Sequence, residues 1–478
     1  MSDLLALDAT AQLQALATKR VSAVELLEMA ARRHQQVHGE INAVIATDME
    51  RARLRARATD EQRTKGEHLG ALAGLPMTVK DTLDVEGMPA SSGLKAFRGR
   101  IARDAAAVAR AKHEGAVIWG KTNVPVMAGD WQTFNSLYGT TNNPWALNRT
   151  PGGSSGGAAA ALASCVTALE IGSDIGGSLR TPASFCGVYA HKPTWGLVSQ
   201  RGHLPPAPGS FAERDLNVVG PMARSARDLR LLLSVLEEGP LAAKAAPPDV
   251  KALKLGLWLD QPDFPLDPQV RATIEAFIGA LSGHVALIEP VRPIDTAALR
   301  GAYRVLLASV LAADLPARER RAMATRRGLA RMLSRLAIGG EQVEQVLAYT
   351  ATHAEWLVAD EVRARLGAGA RALFDRYDAI IAPVAPVTAF PHDHRPLKHR
   401  TLSFSSGGKA PYLSMLNWIA MATALGLPAT AIPAGQAADG LPVGVQVIGP
   451  RGGDGRTLAV AQAIEDAWGG FQAPPTSD

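Results

Sequence analysis

Two serines in glycine-rich surroundings are the residues of this sequence best suited to covalent chemistry. Ser154 lies in the run Gly152–Gly157, which reads Gly-Gly-Ser-Ser-Gly-Gly, and Ser178 lies in Gly172–Arg180, which reads Gly-Ser-Asp-Ile-Gly-Gly-Ser-Leu-Arg. Glycine clusters usually mark tight turns or a close approach of the backbone to a ligand. A serine hydroxyl is a weak nucleophile until a base removes its proton. The two runs therefore predict a serine nucleophile that needs a base from elsewhere in the chain.

Lys80 is the best candidate for that base. In the sequence before it, Thr78 and Lys80 alternate with the apolar Met77 and Val79, as in a β-strand. A lysine at the end of a buried strand loses hydration, and this loss lowers its pKa. The neutral amine that results can accept a proton. We therefore expect Lys80 to be a base at a strand end.

The backbone before Ser178 is suited to holding negative charge. The successive N–H groups of Ile175, Gly176, Gly177 and Ser178 can point into one concavity, an arrangement that binds anions. Attack on a carbonyl group places negative charge on its oxygen, and fixed N–H donors stabilise that charge. We therefore predict that these four backbone N–H groups form an oxyanion hole.

These motifs also carry a resemblance to a known family. The run Gly74–Asp81 reads Gly-Leu-Pro-Met-Thr-Val-Lys-Asp, and with the two serine runs it resembles the signature of the amidase signature family. Members of that family are hydrolases with a Ser–cis-Ser–Lys triad. The resemblance runs from the N-terminal helices through 150–193 to 440–449, and it is weak or absent over roughly 285–375.

The resemblance assigns roles to five residues of this chain. It implies that Ser178 is the nucleophile, that Ser154 follows a cis peptide bond and relays the proton, and that Lys80 is the base. It also implies that Asp174 and Arg180 are a buried structural pair that shapes the nucleophile loop. An ordinary surface pair is the alternative for these two residues.

The implied activity is hydrolysis of a carboxylic amide C–N bond through a serine acyl-enzyme. Hydrolysis of esters, carbamates or aryl amides is an alternative, because the same acyl-enzyme serves all of them. The amidase subunit of a glutamine-dependent amidotransferase is another, and it would need partner subunits and an ammonia channel. The segment 130–134 does not resemble the pattern of that subunit.

The segment just before the first serine run is rich in aromatic and amide side chains. By resemblance it lines the substrate side of the site, and the candidates for substrate binding are Trp131, Gln132 and Phe134. Ordinary core packing is the alternative for Trp131 and Phe134.

The predicted fold class is α/β, a mixed β-sheet core flanked on both sides by α-helices. Residues 1–68 are predicted to be a helical region packed on the core, and residues 69–478 to be the α/β/α domain that the resemblance implies. Within that domain, about 253–375 is a divergent, mainly helical region. We expect substrate specificity to depend on this region and on 130–138.

Composition excludes several classes of protein. The chain of 478 residues has a net charge of +5, which is small for its length and argues against a dedicated nucleic-acid binder. No run of about 18 apolar residues is free of breakers, so we expect no membrane span. Cys165 and Cys186 lie among apolar or small residues and predict buried thiols in a reducing compartment. We expect a cytoplasmic enzyme without cofactor or metal that acts on a small-molecule substrate, and the resemblance leaves a homodimer open.

Four other motifs have alternative interpretations. Gly115–Thr122 matches the P-loop pattern by letter, but a helix precedes it and its middle is a strand, which argues against nucleotide binding. His191 could pair with a serine, although the resemblance assigns proton transfer to lysine. His392 and His394 lack a third metal ligand nearby. The arginine-rich stretch 318–335 is most consistent with a solvated helix face, and its role stays open.

Overall fold

A mixed β-sheet forms the centre of the protein. The computed structural model describes residues 3–239 and 246–475. The strands are β1 (Val44–Thr47), β2 (Pro76–Lys80), β3 (Val117–Thr122), β4 (Phe134–Asn135), β5 (Gly139–Thr140), β6 (Leu169–Asp174), β7 (Tyr189–Lys192), β8 (Val218–Ala223), β9 (Lys254–Leu257), β10 (Leu287–Pro290), β11 (Ala379–Pro383), β12 (Thr401–Ser403), β13 (Lys409–Pro411), β14 (Ala429–Gln436) and β15 (Pro442–Ile448). In the described part of the chain, eleven of them form one sheet in the order β1-β3-β2-β6-β8-β7-β14-β15-β11-β9-β10.

Helices surround this sheet. They are α1 (Asp3–Ala6), α2 (Ala9–Ala17), α3 (Ala23–Ile41), α4 (Met49–Lys65), α5 (Ala106–His113), α6 (Gly156–Ala163), α7 (Arg180–Cys186), α8 (Ala226–Leu236), α9 (Pro268–Ser282), α10 (Thr296–Ala313), α11 (Ala317–Arg335), α12 (Gly340–Tyr349), α13 (His353–Arg376), α14 (Ala420–Ala424) and α15 (Asp454–Trp468). The predicted α/β class with a mixed sheet is confirmed.

Both faces of the sheet are covered, as the side chains of β11 show. Successive side chains of a strand point to opposite faces. Ala379 and Ile381 belong to a core cluster that also contains residues of α3, α8 and α15. Ile380 and Ala382 belong to a second cluster with residues of α10 and α14. One set of helices therefore packs on each face, as predicted.

The predicted helical region 1–68 also contains a strand. α3 ends at Ile41, the next residue Asn42 adopts the left-handed conformation, and Asp48 caps the start of α4. Between them β1 pairs antiparallel with β3 at the edge of the large sheet, with Val44 opposite Thr122. The β-branched Val, Ile and Thr in this short run favour a strand over a helix turn.

The divergent region contributes both helices and strands. It contains α9 to α13, and its two strands β9 and β10 extend the sheet as a parallel pair next to β11. Among the described residues, α10 alone is long and apolar enough to cross a membrane by length and composition. Its Leu299, Tyr303 and Leu306 are buried in the second core cluster, which accounts for the apolar composition.

The sheet topology brings two polar strand ends together. β2 runs parallel to both β3 and β6. Parallel neighbours end at the same edge of a sheet, so Lys80 at the end of β2 lies beside Asp174 at the end of β6. The nucleophile loop begins directly after Asp174, and Lys80 therefore faces the predicted site.

Candidate active site

Lys80 is fully buried and contacts the first serine run. Its Nζ atom lies 2.7 Å from Oγ of Ser154, 3.0 Å from Oγ of Ser173 and 3.3 Å from the Ser173 carbonyl oxygen. Burial lowers the pKa of Lys80 to about 7, although the nearby charges of Asp174 and Glu170 oppose this effect. A lysine with this pKa is largely neutral at slightly alkaline pH and can accept a proton.

Ser154 follows a cis peptide bond to Gly153, and α6 begins two residues later. Glycine is required at position 153 by close packing, since a Cβ atom there would lie 2.4 Å from the carbonyl oxygen of Asp130. A Cβ at Gly156 would likewise lie 2.2 Å from Oγ1 of Thr133. The glycines thus allow the segment before the run to pack against the serines.

Ser178 lies in the loop between β6 and α7. Its carbonyl oxygen accepts a hydrogen bond from the N–H of Ser155 at 3.2 Å, which ties the two serine runs together. Ser178 remains slightly exposed, at 6%. Within residues 3–239 and 246–475, no hydrogen bond is made to Oγ of Ser178. The hydroxyl is therefore uncommitted in this arrangement.

The predicted oxyanion hole is changed at one of its four positions. The N–H of Gly177 donates to Oδ1 of Asp174 at 2.8 Å, so this donor is occupied. Gly177 has a φ of +91°, in the left-handed region that glycine adopts readily. The N–H groups of Ile175, Gly176 and Ser178 have no acceptor among the described residues. These three are available for an anion.

Asp174 and Arg180 form the buried pair that the resemblance implies. Both side chains are fully buried, and two guanidinium nitrogens of Arg180 each lie 3.1 Å from a carboxylate oxygen of Asp174. Burial alone would raise the pKa of Asp174, but the Arg180 charge holds it at about 2. Arg180 also donates to Gln446 and Thr423. The surface alternative is therefore excluded, and the pair anchors the loop to β15 and α14.

The three predicted substrate-binding residues occupy different environments. Trp131 is partly exposed, and its Nε1–H donates to the carbonyl oxygen of Gly176 at 2.8 Å, inside the nucleophile loop. Gln132 is fully buried, and both ends of its amide bond the backbone of Asp393. Phe134 stacks on His394 with 4.1 Å between ring centroids. Gln132 has no exposed surface for a substrate, and this prediction needs correction: its role is to hold the loop at Asp393.

A charged network adjoins Trp131. Arg400 and Asp130 form an ion pair at 2.5 Å, and the hydroxyl of Tyr412 donates to Asp130 at 2.7 Å. Tyr412 also packs edge-on against Trp131. The two charges neutralise each other, so this side of the site carries no net charge from the pair.

Several site residues were not predicted from the sequence. Glu170 is buried beside Lys80 and accepts hydrogen bonds from Thr78 and Thr122, and burial raises its pKa to about 8. A glutamate between Leu169 and Ile171 in a fully buried strand is a signal that could have identified it. Tyr303, on α10 in the divergent region, donates to the carbonyl oxygen of Ile175 at 3.0 Å. Its position relative to the loop depends on the tertiary fold alone.

The key side chains of the P-loop-like run and of the serine–histidine alternative are buried in contacts with other side chains. Lys121 of the P-loop-like run is fully buried in β3 and forms a 3.0 Å ion pair with Asp81. His191 is buried between Thr430 and Asp454. No group of three metal-ligating side chains occurs in the part of the chain that the structure describes.

The chain matches known proteins over nearly its whole length. The family described as Amidase matches residues 25–458. A glutamyl-tRNA(Gln) amidotransferase subunit of Synechococcus sp. strain CC9605 is 35% identical over 494 residues, covering 97% of this chain and 96% of that protein. The crystal structure of an amidase superimposes with a TM-score of 0.79 at 29% identity, covering 97% of this chain and 100% of that one.

A second solved structure is equally similar. It comes from a vestigial protein complex described as revealing the evolutionary origins of an s-triazine catabolic enzyme. It superimposes with a TM-score of 0.80 at 28% identity, covering 98% of this chain and 100% of that one. The extent of the family match and the shared fold lead to one conclusion. The chain belongs to the amidase signature family and is a hydrolase that acts on C–N bonds.

Proposed function

We propose that this protein is a serine amidase in which Ser178 is the nucleophile, Ser154 the proton relay and Lys80 the base. The single observation that carries the proposal is the 2.7 Å contact between Nζ of Lys80 and Oγ of Ser154 in a fully buried setting. A buried lysine of lowered pKa has one main chemical use next to a hydroxyl, which is to take its proton.

The proposed reaction begins with two linked proton transfers. Lys80 takes the proton of Ser154, and Ser154 takes the proton of Ser178 as the Ser178 hydroxyl rotates toward it. The Ser178 oxygen then bonds to the carbonyl carbon of the amide. When the C–N bond breaks, the proton returns through Ser154 to the leaving nitrogen, which departs as an amine or ammonia. Water repeats the sequence on the acyl-enzyme and releases the carboxylic acid.

Negative charge on the carbonyl oxygen is stabilised by the backbone in this proposal. The N–H groups of Ile175, Gly176 and Ser178 are unoccupied donors among the described residues, whereas Gly177 supports the loop through Asp174. Preorganised donors of this kind contribute about 3 kcal/mol each to lowering the barrier in other acyl-transfer enzymes.

The surroundings of the loop support a neutral substrate. A Cβ atom at Gly176 would lie 3.4 Å from Leu416, and one at Gly177 would lie 3.4 Å from Ile419. Trp131 adds an aromatic side chain, and the charges that adjoin it, Asp130 and Arg400, are paired with each other. A charged group on the substrate would have to give up water here without a free counter-charge, which is costly. We propose an uncharged amide with an apolar or aromatic acyl group.

A second candidate function comes from the curated relatives. Relatives named as a glutamyl-tRNA(Gln) amidotransferase subunit are 33% identical to this chain over 95% of its length. That similarity favours glutamine as an alternative substrate, with the chain working beside partner subunits. The described neighbours of the nucleophile loop named above include no uncommitted charged side chain. This observation argues against the amidotransferase function.

The test combines labelling with a substrate panel. A fluorophosphonate probe should label the wild-type protein at Ser178, and the Ser178→Ala variant should not be labelled. Labelling at Ser155, Cys165 or Cys186 would contradict the assignment. The panel compares an aryl amide, an aliphatic amide, the matching ester, a carbamate and L-glutamine. Hydrolysis of the neutral aryl amide with little ammonia release from glutamine is expected, and the reverse would favour the amidotransferase function.

A further inference from the structure

His203 reaches the surroundings of Lys80 from a loop that follows β7. Its ring is almost fully buried, and its Nε2 atom lies 2.8 Å from Oγ of Ser173. Its Nδ1 atom lies 2.8 Å from the carbonyl oxygen of Pro205. Ser173 Oγ in turn lies 3.0 Å from Nζ of Lys80. A continuous chain of hydrogen bonds therefore joins His203 to the proposed base.

The direction of each hydrogen bond in this chain follows from the groups present. A carbonyl oxygen only accepts, so Nδ1 of His203 carries the proton that bonds Pro205. A neutral imidazole has one N–H, so Nε2 is an acceptor and Ser173 must donate its hydroxyl proton to it. The Ser173 hydroxyl proton is therefore not available for a hydrogen bond to Lys80. The contact between Ser173 and Lys80 is therefore a hydrogen bond donated by Lys80.

These hydrogen bonds fix the direction of the lone pair of Lys80. A neutral amine has two N–H groups and one lone pair. One N–H donates to Oγ of Ser173 and the other to the Ser173 carbonyl oxygen. The remaining contact is with Ser154 at 2.7 Å, and the lone pair is left pointing there. Lys80 is thus oriented to take the Ser154 proton.

We propose that His203 is a positioning residue that engages the Ser173 hydroxyl and so directs the lone pair of Lys80 to Ser154. The inference rests on the proposed function, in which Lys80 is the base. Without the imidazole, the Ser173 hydroxyl is free to donate to the Lys80 lone pair. Ser173 would then compete with Ser154 for the base, and the productive arrangement would be populated less.

The charged groups around Lys80 are consistent with a neutral His203. Glu170 and Asp174 on β6 face Lys80, and their charges favour its protonated form. Lys121 on the neighbouring β3 is paired with Asp81. Burial and the Lys80 charge lower the pKa of His203 to about 3. The imidazole therefore keeps its acceptor nitrogen across the range in which Lys80 titrates.

A double-mutant cycle on the full-length protein tests the inference. With an aryl amide as substrate, His203→Ala should lower kcat about tenfold with KM changed less than about twofold, since a misdirected base loses catalysis but not binding. In the Ser173→Ala background, where no hydroxyl competes, adding His203→Ala should change kcat less than about twofold. An equal loss in both backgrounds, or no loss in either, would overturn the proposal.

Two controls accompany the cycle. His191→Ala removes another buried imidazole, one that bonds Thr430 and Asp454, and it should lower Tm without a comparable loss of kcat. Lys80→Ala separates this inference from the proposed function. If Lys80→Ala keeps wild-type activity, the proposed base is wrong. If it is inactive while His203→Ala fails the cycle, only the role of His203 is wrong.

A measurement on the unmutated ring covers the case in which His203→Ala does not fold. Protein labelled with ¹⁵N-histidine should show the Nδ1–H tautomer for His203 between pH 6 and pH 9. The resonance that shifts most in Ser173→Ala assigns the ring. An Nε2–H tautomer would contradict the proposal, because the imidazole would then donate to Ser173 and leave its hydroxyl proton free.

Discussion

The Nζ atom of Lys80 lies 2.7 Å from Oγ of Ser154, and both side chains are almost completely removed from solvent. The strand that ends at Lys80 and the turn that carries Ser154 are far apart in the chain. The parallel pairing of β2 with β6 places Lys80 near the loop that follows β6, and the hydrogen bond from the N–H of Ser155 to the carbonyl oxygen of Ser178 ties the turn of Ser154 to that loop. Burial of the same amine lowers its pKa to about 7. The fold thus both positions the amine beside Ser154 and, by burying it, lowers its affinity for a proton.

The first prediction concerns the pH dependence that follows from this pKa. The lowered pKa of Lys80, about 7 against 10.5 for a free lysine, means that kcat should rise with pH through about 7 and then level off. Lys80→Ala should lower kcat by about 10²- to 10⁴-fold and abolish the rising limb. Lys80→Arg should not restore activity, since guanidinium stays protonated. Retention of the wild-type limb in Lys80→Ala would identify another group as the base.

The second prediction concerns the stability contributed by Asp174. Asp174→Asn should lower the free energy of unfolding by about 3 kcal/mol, because it leaves the buried Arg180 charge without its partner. Urea unfolding measures this change. The matched control is Glu361→Gln in the exposed pair with Arg365, where a change below about 1 kcal/mol is expected. Equal effects in both variants would contradict the anchoring role of the pair.

The Asp174 carboxylate also predicts the direction of a pH effect on stability. Its pKa is lowered from 3.8 to about 2 in the folded protein. A lowered pKa stabilises the fold fully above the unfolded value, and the contribution is lost as pH falls from about 4 to about 2. In Asp174→Asn this part of the acid sensitivity should be absent from unfolding curves recorded across that range.

The third prediction concerns the contact between Trp131 and the nucleophile loop. Trp131→Phe removes the N–H that bonds the Gly176 carbonyl oxygen. We expect kcat on the aryl amide to fall about fivefold to tenfold, since one neutral hydrogen bond contributes about 1 kcal/mol. Trp145→Phe is the matched control, because it removes a similar bond, to the Cys186 carbonyl oxygen. A similar loss of kcat in the control would show that the effect is not specific to the loop.

The fourth prediction concerns the P-loop-like run. Lys121 is buried against Asp81, so Lys121→Ala should lower the free energy of unfolding by about 3–5 kcal/mol, the cost of leaving a buried charge unpaired. Calorimetry with ATP or GTP should show no binding to the wild-type protein. Micromolar nucleotide affinity that Lys121→Ala abolishes would contradict the structural role.

Local pattern in the sequence was sufficient to predict the local structure around the proposed catalytic groups. The alternation before Lys80 predicted a strand, and β2 ends at that residue. The run after Asp174 predicted a turn with clustered backbone donors, and the structure has such a turn there. These features depend on neighbours within a few residues, which is why the sequence alone indicates them.

Contacts between distant segments could not be predicted in the same way. Gln132 was assigned to the substrate side, but its amide bonds Asp393, which lies 261 residues away in the chain. The N–H of Gly177 was assigned to the oxyanion hole, but the fold turns it toward Asp174. Both corrections depend on which partner a polar group finds once it is buried.

The sequence by itself determined the family of the chain and was enough to propose the two serines and the lysine, because these follow from residue types at short spacing. Only the tertiary structure decided what surrounds the lysine. Glu170 reaches it because β6 pairs with β2, and His203 reaches it through Ser173 from a loop beyond β7. No local spacing connects these residues with Lys80. A buried polar group must find partners wherever the fold provides them, and the order of strands in the sheet determines which partners are near.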